Sequence, residues 1–255
     1  MTSEQKFLFD LQGYLVLENA LTPDEITHYH DAVYRLCHER ATQSEQWNAS
    51  GEPTQTIRVP RPVERDPAFL EMIDHPSVFP FLQTLMGEHL TLIDNDVELS
   101  PHSLKRNGWH RGCGLSGYFA EGGKFECTMV KCIWYLTDIR KGQNATRIIP
   151  GSHKSKIAMP EPDSDDHLPG EVELEVNAGS VLIFSEACLH AGNCNPSDKT
   201  RVNMYYNYGP SWVQSWEGYR SSPEFVAQMS DVRRQLLGGG RIYSNSEEEA
   251  RELYR

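Results

Sequence analysis

The chain is predicted to be mainly β, with helices flanking a sandwich or jelly-roll core. Three observations carry this. Between residues 90 and 209, short β-branched and aromatic runs alternate with turn signals. The stretches before and after that region instead carry helix-start and helix-stop signals. With 255 residues, 38% of them hydrophobic, the chain is long enough to bury a sizeable core.

In order along the chain, "GYLVLENALTPDEITHYHDAVYRLCHER" reads as a short strand, a turn and a helix. Thr22 and Glu25 form a capping-box pattern, and Pro23 suits the first helical position. A second helical region, "RDPAFLEMIDHPSVFPFLQTLMGEH", is expected to break at Pro76 and stop at Gly87. From residue 90 the pattern changes. "LTLIDNDVELSP" alternates in part, and "ECTMVKCIWYLTD" is rich in β-branched and aromatic residues. "EVELEV" alternates strictly, "GSVLIF" is a short apolar run, and "RVNMYYNYG" is a further strand. "SPEFVAQMSDVRRQLLGGG" begins like a capped helix, and "NSEEEARELYR" reads as a last short one. This divides a single domain into a mostly helical part (1–89), a jelly-roll part (90–210) and C-terminal helices (211–255). The proline-rich, acidic stretch "MPEPDSDDHLPGE" (159–171) is a loop, either solvated or a lid over an active site.

The formal net charge of −12 argues against a nucleic-acid polymer or an anionic membrane as partner. It leaves room for a small anion held by a few local cations. No run approaches the length of a membrane-spanning helix, and no secretion signal is visible. The six cysteines include no CxxC pair, which suits free reduced thiols and a cytoplasmic protein.

The chemistry is expected where the strands end. A buried strand runs up to His190, and eleven residues later Arg201 opens the next. Alone, such a histidine fits a core residue bonded to backbone. But His110, beside Trp109, also ends a strand-like stretch, and "ATRIIPGSHK" places a Pro-Gly-Ser-His turn between the two.

Taken in order, "FLFDLQGYLVLENALTPDEI", "DPAFLEMIDHPSVFPFLQTLMG", "IIPGSHK", "AGSVLIF" and the His-Ala-Gly-Asn stretch before Arg201 resemble the phytanoyl-CoA dioxygenase-type family of iron(II), 2-oxoglutarate-dependent oxygenases. The resemblance covers nearly the whole chain. It implies a double-stranded β-helix, the cupin-like jelly roll. It also implies iron between His110 and His190, and Arg201 on the distal carboxylate of 2-oxoglutarate. Neutral imidazoles suit Fe(II), and a guanidinium matches a carboxylate bidentately. Thr128 lies where family members help to hold the cosubstrate, or is an ordinary strand residue.

One position departs from the family. His-x-Asp is usual at the first site, whereas this chain reads His110-Arg111-Gly112. Residues 110 and 112 of a strand share a face, so a hole is expected beside the metal. Three explanations compete. In the first, chloride fills the hole, as in the iron-dependent halogenases that this pattern resembles. The enzyme would then chlorinate an unactivated aliphatic carbon, with dioxygen as co-reactant. In the second, the site is dead and the chain is a binding module, or the glycine is an engineered replacement. In the third, another residue supplies the ligand: Cys188, Cys113 or, less constrained by spacing, Asp94, Asp96 or Glu121. The halogenase reading is the one adopted as the expectation, with Gly112 marking the chloride position.

The compact length resembles halogenases that act on a 2′-deoxyadenosine nucleotide in natural-product biosynthesis. For such a substrate, Arg58, Arg61, Lys105 and Arg106 are the candidate phosphate contacts. Tyr205, Trp212 and Trp216 are candidates to stack on a base, and Arg111 to make contacts behind the metal ligands.

Overall fold

Helix α1 (Ser3–Gln12) closes on Gly13 at φ +85° in a computed structural model that describes residues 1–112, 117–143 and 145–238. A Cβ at residue 13 would stand 2.4 Å from Cys188 Sγ and 2.5 Å from His153 Nδ1, so glycine is required twice over. Strand β1 (Tyr14–Leu17) follows. Helix α2 (Pro23–Arg40) starts with the expected capping box: Thr22 N donates to Glu25 Oε2 at 2.7 Å and Glu25 N to Thr22 Oγ1 at 3.3 Å. After β2 (Ile57–Pro60), the second helical region is shorter than its periodicity suggested. It becomes α3 (Pro67–Leu70), a 3-10 turn over Glu71–Asp74, and α4 (Phe79–Met86), separated around Pro76 and ended at Gly87.

The strands that follow are β3 (Leu90–Ser100), β4 (Tyr118–Glu121), β5 (Lys124–Cys127) and β6 (Val130–Tyr135). Then come β7 (Thr146–Ile148), β8 (Val172–Leu174), β9 (Val181–Ser185), β10 (His190–Gly192) and β11 (Arg201–Pro210). The run from Glu126 to Asp138 is not one strand. It changes partners at Thr128, leaving the β4–β5 hairpin to enter the main sheet as β6. "EVELEV" pairs over only three residues, with Val176 adding an isolated bridge to Ile139. Beyond residue 221 the expected single helix is two, α5 (Pro223–Val226) and α6 (Asp231–Leu236), because Ser230 caps a fresh start. The expected terminal helix at 245–255 lies outside the described residues.

Six strands form the main sheet, in the order β1-β9-β6-β11-β3-β2, and β10-β7-β8 form a smaller one. Alternation sorts the main sheet's two faces. Val130, Cys132 and Trp134 of β6 and Val202, Met204 and Tyr206 of β11 pack in the large core shared with α2, α3 and α4. Ile133, Tyr135, Leu182 and Phe184 point the other way and pack with Ile148, Leu174 and Val176 of the smaller sheet. This is a jelly-roll core with helices on its outer face. Strands buried on both faces read as apolar runs, which is why "GSVLIF" shows no alternation. The first 89 residues are not separate from the sheet, since β1 and β2 form its two edges.

Candidate metal centre

The inner face of the main sheet carries an unusual polar load. Opposite in parity to Val202, Met204 and Tyr206 stand Arg201, Asn203 and Tyr205, beside Asp96 and Glu98 on β3 and Lys131 on β6. The smaller sheet delivers the two predicted histidines to this space. His110 forms an isolated bridge with His190, each N–H donating to the other's carbonyl at 3.0 Å. The imidazole centroids lie 4.2 Å apart.

Both rings are held the same way. His110 Nδ1 donates to the Gly108 carbonyl and His190 Nδ1 to the Cys188 carbonyl, each at 3.0 Å. A carbonyl oxygen only accepts, so Nδ1 carries the proton in each contact, and an uncharged ring held this way turns its Nε2 lone pair outward for a metal. Burial pushes His190 down to about 4, outweighing the opposing pull of Glu186, so the ring is neutral at physiological pH. His190 is buried against Phe184 at 4.7 Å, whereas His110 is exposed at the rim. Two imidazole nitrogens on bridged segments suit Fe(II), which takes nitrogen and oxygen ligands. Among the described residues, no three His, Cys, Asp or Glu side chains are already gathered around one metal position.

Glu186, a buried carboxylate beside His190, was not among the residues that stand out in the sequence. Its Oε2 lies 3.9 Å from His190 Nε2, and its Oε1 pairs with Lys131 Nζ. Burial alone would raise the Glu186 carboxyl, but Lys131 and then the two imidazoles hold it below the usual range. Alternation from His190 would have reached it, four residues upstream.

The substitute ligands weighed from the sequence are engaged elsewhere. Ser185–Cys188 is a turn closed by Cys188 N donating to the Ser185 carbonyl at 2.9 Å, which breaks the strand register assumed for Cys188. The thiol faces the Gly13 carbonyl at 3.6 Å, and burial pushes it up to about 12. Asp94 accepts from Trp216 Nε1 at 2.7 Å, and Asp96 from Arg58 at 2.6 Å and Tyr219 at 2.8 Å. Glu121 is exposed on the β4–β5 hairpin, and Cys113 lies outside the described residues.

Arg201 opens β11 as expected, and its guanidinium leans back along the strand to Tyr205 Oη at 3.0 Å. It also meets Glu98 Oε1 at 3.2 Å, so a cosubstrate carboxylate there would share the guanidinium with a protein carboxylate. Thr128 sits at the β5–β6 break, where its Oγ1 accepts from Gly117 N at 2.5 Å, in a groove with Tyr118, Phe119 and Trp212. Arg111 ties the Ser185–Cys188 turn down by donating to the carbonyls of Ala187 and, at 2.6 Å, Ser152. Of the candidate phosphate contacts, Arg58 pairs with Asp96, Arg61 with Glu64 at 2.7 Å, and Arg106 donates to the Asp165 carbonyl. Lys105 is exposed. The acidic loop is strapped down beside the first histidine. Trp109 Nε1 donates to the Asp166 carbonyl at 2.9 Å, buried Arg147 pairs with Asp166 at 2.6 Å, and Leu168 packs with Trp109, Leu189 and Ala191.

The fold is a jelly roll that sets two imidazoles side by side at the end of its smaller sheet. The family model for phytanoyl-CoA dioxygenase (PhyH) matches residues 9–203, and the chain belongs to that family of iron- and 2-oxoglutarate-dependent oxygenases. It is 24% identical to the uncharacterized protein Rv1501 of Mycobacterium tuberculosis, over 92% of this chain and 86% of that one. It is 20% identical to the ectoine dioxygenase of Nocardia farcinica, over 80% and 77%. Among solved structures, HygX of Streptomyces hygroscopicus with nickel and 2-oxoglutarate bound superposes with a TM-score of 0.74, at 20% identity, over 87% of this chain and 95% of that one. The epimerase SnoN from nogalamycin biosynthesis superposes with a TM-score of 0.62, at 18% identity, over 82% and 80%. No helix among the described residues is long and apolar enough to cross a membrane.

Proposed function

We propose that the chain is an iron(II)- and 2-oxoglutarate-dependent oxygenase that oxidises an aliphatic carbon of a small molecule. The observation that carries this reading is the pair of Nε2 lone pairs presented side by side by His110 and His190. These two residues would hold the iron. Arg201, shared with Glu98, would orient 2-oxoglutarate through its distal carboxylate, and Thr128 would border the cosubstrate. When bound, iron with 2-oxoglutarate and dioxygen supplies the oxidant, and the cosubstrate leaves as succinate and carbon dioxide. The protein's part is positioning: the two backbone carbonyls fix the rings, and Phe184 shields one side of His190.

Gly112 favours a second reading, that of a halogenase with chloride beside the iron. Its backbone runs past the histidine pair without a side chain, donating its N–H to the Glu186 carbonyl at 2.7 Å. Against it stands the Glu186 carboxylate, because a chloride would enter beside a buried negative charge. A nucleotide substrate would further require Arg58, Arg61 and Arg106 to exchange their present partners for phosphate.

Anaerobic loading with Fe(II) and 2-oxoglutarate, then dioxygen with chloride or bromide and a panel of small molecules, separates the readings by mass spectrometry. Succinate with oxygen insertion or desaturation is expected. A halogen in the product that follows the added salt would establish the second reading. Absence of succinate under every condition would overturn both.

A further inference from the structure

We infer that the small molecule on which this chain acts carries a protonated amine, received by Asp94 with Asn207 and Trp216 around it, an inference that rests on the oxygenase reading above. Asp94 of β3 lies directly across from Asn207 of β11. Direct partners share a face, and the outer core holds Tyr206 and Tyr208 on either side of Asn207, so both side chains turn inward. Asp94 Oδ2 accepts twice, from Trp216 Nε1 at 2.7 Å and from Asn207 Nδ2 at 3.2 Å. Among the described residues its Oδ1 accepts no hydrogen bond. Asn207, only 2% exposed, likewise leaves its Oδ1 buried without a donor among them. A buried acceptor left unmet costs stability, so acceptors left over side by side fit a ligand that brings donors.

The surrounding charges set the sign of that ligand. Among the described residues, Asp94, Asp96, Glu98 and Glu186 share this interior with Arg58, Lys131 and Arg201, four carboxylates against three cations. Arg58 pairs with Asp96, Lys131 with Glu186 and Arg201 with Glu98. Asp94 is the carboxylate left without an ion pair of its own. Burial holds its carboxyl above the ordinary range, in spite of Lys131 and the two N–H donors. Fe(II) and dianionic 2-oxoglutarate together add no net charge, so the interior stays one cation short when both are bound. A hydroxyl would meet the acceptors and leave the charge; a phosphate or carboxylate would add to it.

The position suits a substrate. Lys131 stands across from Asn207 on β6, and its partner Glu186 lies beside His190, so the cluster is continuous with the histidine pair. On its other side Trp216, 40% exposed, links Asp94 to solvent. The segment that carries Trp216 is bound along β3. Trp216 N donates to the Ile93 carbonyl at 3.2 Å, Ser215 Oγ to the Leu92 carbonyl at 2.7 Å, and Tyr219 Oη to Asp96 at 2.8 Å. The indole face is a further surface that favours an ammonium.

The indole N–H of Trp216 reports directly on Asp94, and its proton–nitrogen NMR signal is assigned with Trp216→Phe. Cyclohexylamine, cyclohexanol, cyclohexanecarboxylate and adenosine 5′-monophosphate are titrated into the metal-free chain at neutral pH. A saturable shift is expected for the amine alone. Asp94→Asn, which keeps an oxygen for Trp216, is expected to weaken amine binding about tenfold or more. Asn207→Ala, which leaves the carboxylate in place, is expected to weaken it several-fold. No saturable shift with the amine, equal binding of the alcohol or of either anion, or unchanged amine affinity in both folded variants would overturn the inference. Amine binding by a chain that forms no succinate under any condition would overturn the oxygenase reading and leave the cation site standing.

Discussion

Nε2 of His153 donates to the Asp10 carbonyl at 3.1 Å, and the ring stands edge-on to Tyr118. Burial, reinforced by the Lys154 charge, pushes the imidazole down to about 4 from its ordinary 6.5. The folded chain therefore keeps His153 neutral where the unfolded chain protonates it. Its stabilising contribution is complete above pH 6.5 and is lost as the pH falls toward 4. Between pH 7 and pH 5 the loss is roughly 2 kcal/mol. Urea unfolding at the two pH values should show a smaller difference for His153→Gln than for the wild-type chain; equal differences would refute the assignment. Residues 186 and 188 show how far single positions are legible. His110, His190 and Arg201 stand out from the sequence because each sits at a strand end in a recognisable order. Glu186 does not, because it shares only its parity with His190 and belongs to none of the motifs that mark the others. The two-residue irregularity of the Ser185–Cys188 turn is a local backbone choice that hydrophobic pattern does not encode.

Between elements, the closest constraint is where α1 ends against the Ser152–Lys154 turn and Cys188. Gly13→Ala would place a methyl group within 2.5 Å of His153 Nδ1 and Cys188 Sγ while also requiring a left-handed backbone. The two penalties together predict a loss of roughly 2–4 kcal/mol, measurable as a fall in the urea midpoint; a change under about 0.5 kcal/mol would contradict the packing described. The acidic loop is the other element with a stated mechanical role. Fully buried Arg147 joins β7 to Asp166 and, at 3.6 Å, to Glu171, and its guanidinium lies 4.8 Å over the Trp109 ring. Arg147→Met should free the strap, so that an endopeptidase that cuts before aspartate cleaves the Ser164–Asp165 bond several-fold faster than in the wild-type chain. An unchanged cleavage rate would mean that the loop is held by other contacts. The composition marked this stretch as a loop, but its attachment was hidden. The attachment comes from an arginine inside a strand, whose partner lies nineteen residues away in sequence.

At the scale of the molecule, the jelly roll was readable because its central strands are buried on both faces. β6, β9 and β11 each keep a run of apolar or aromatic residues, and β11 alternates core-facing Val202, Met204 and Tyr206 with polar Arg201, Asn203 and Tyr205. The β4–β5 hairpin was not anticipated, since its strands are only four residues each and alternate too briefly around the Gly122–Gly123 turn to stand out. The same polar alternation on β11 that looks irregular in sequence is what lines the interior facing the two histidines. The central claim is that this interior binds iron and 2-oxoglutarate together through His110 and His190. Anaerobic addition of Fe(II) to the chain with 2-oxoglutarate, followed by the visible metal-to-ligand charge-transfer absorption of a chelated 2-oxo acid, tests it directly. The account predicts a saturable band in the wild-type chain that is lost in folded His110→Ala and His190→Ala. A wild-type chain without the band, or variants that retain it, would contradict the account.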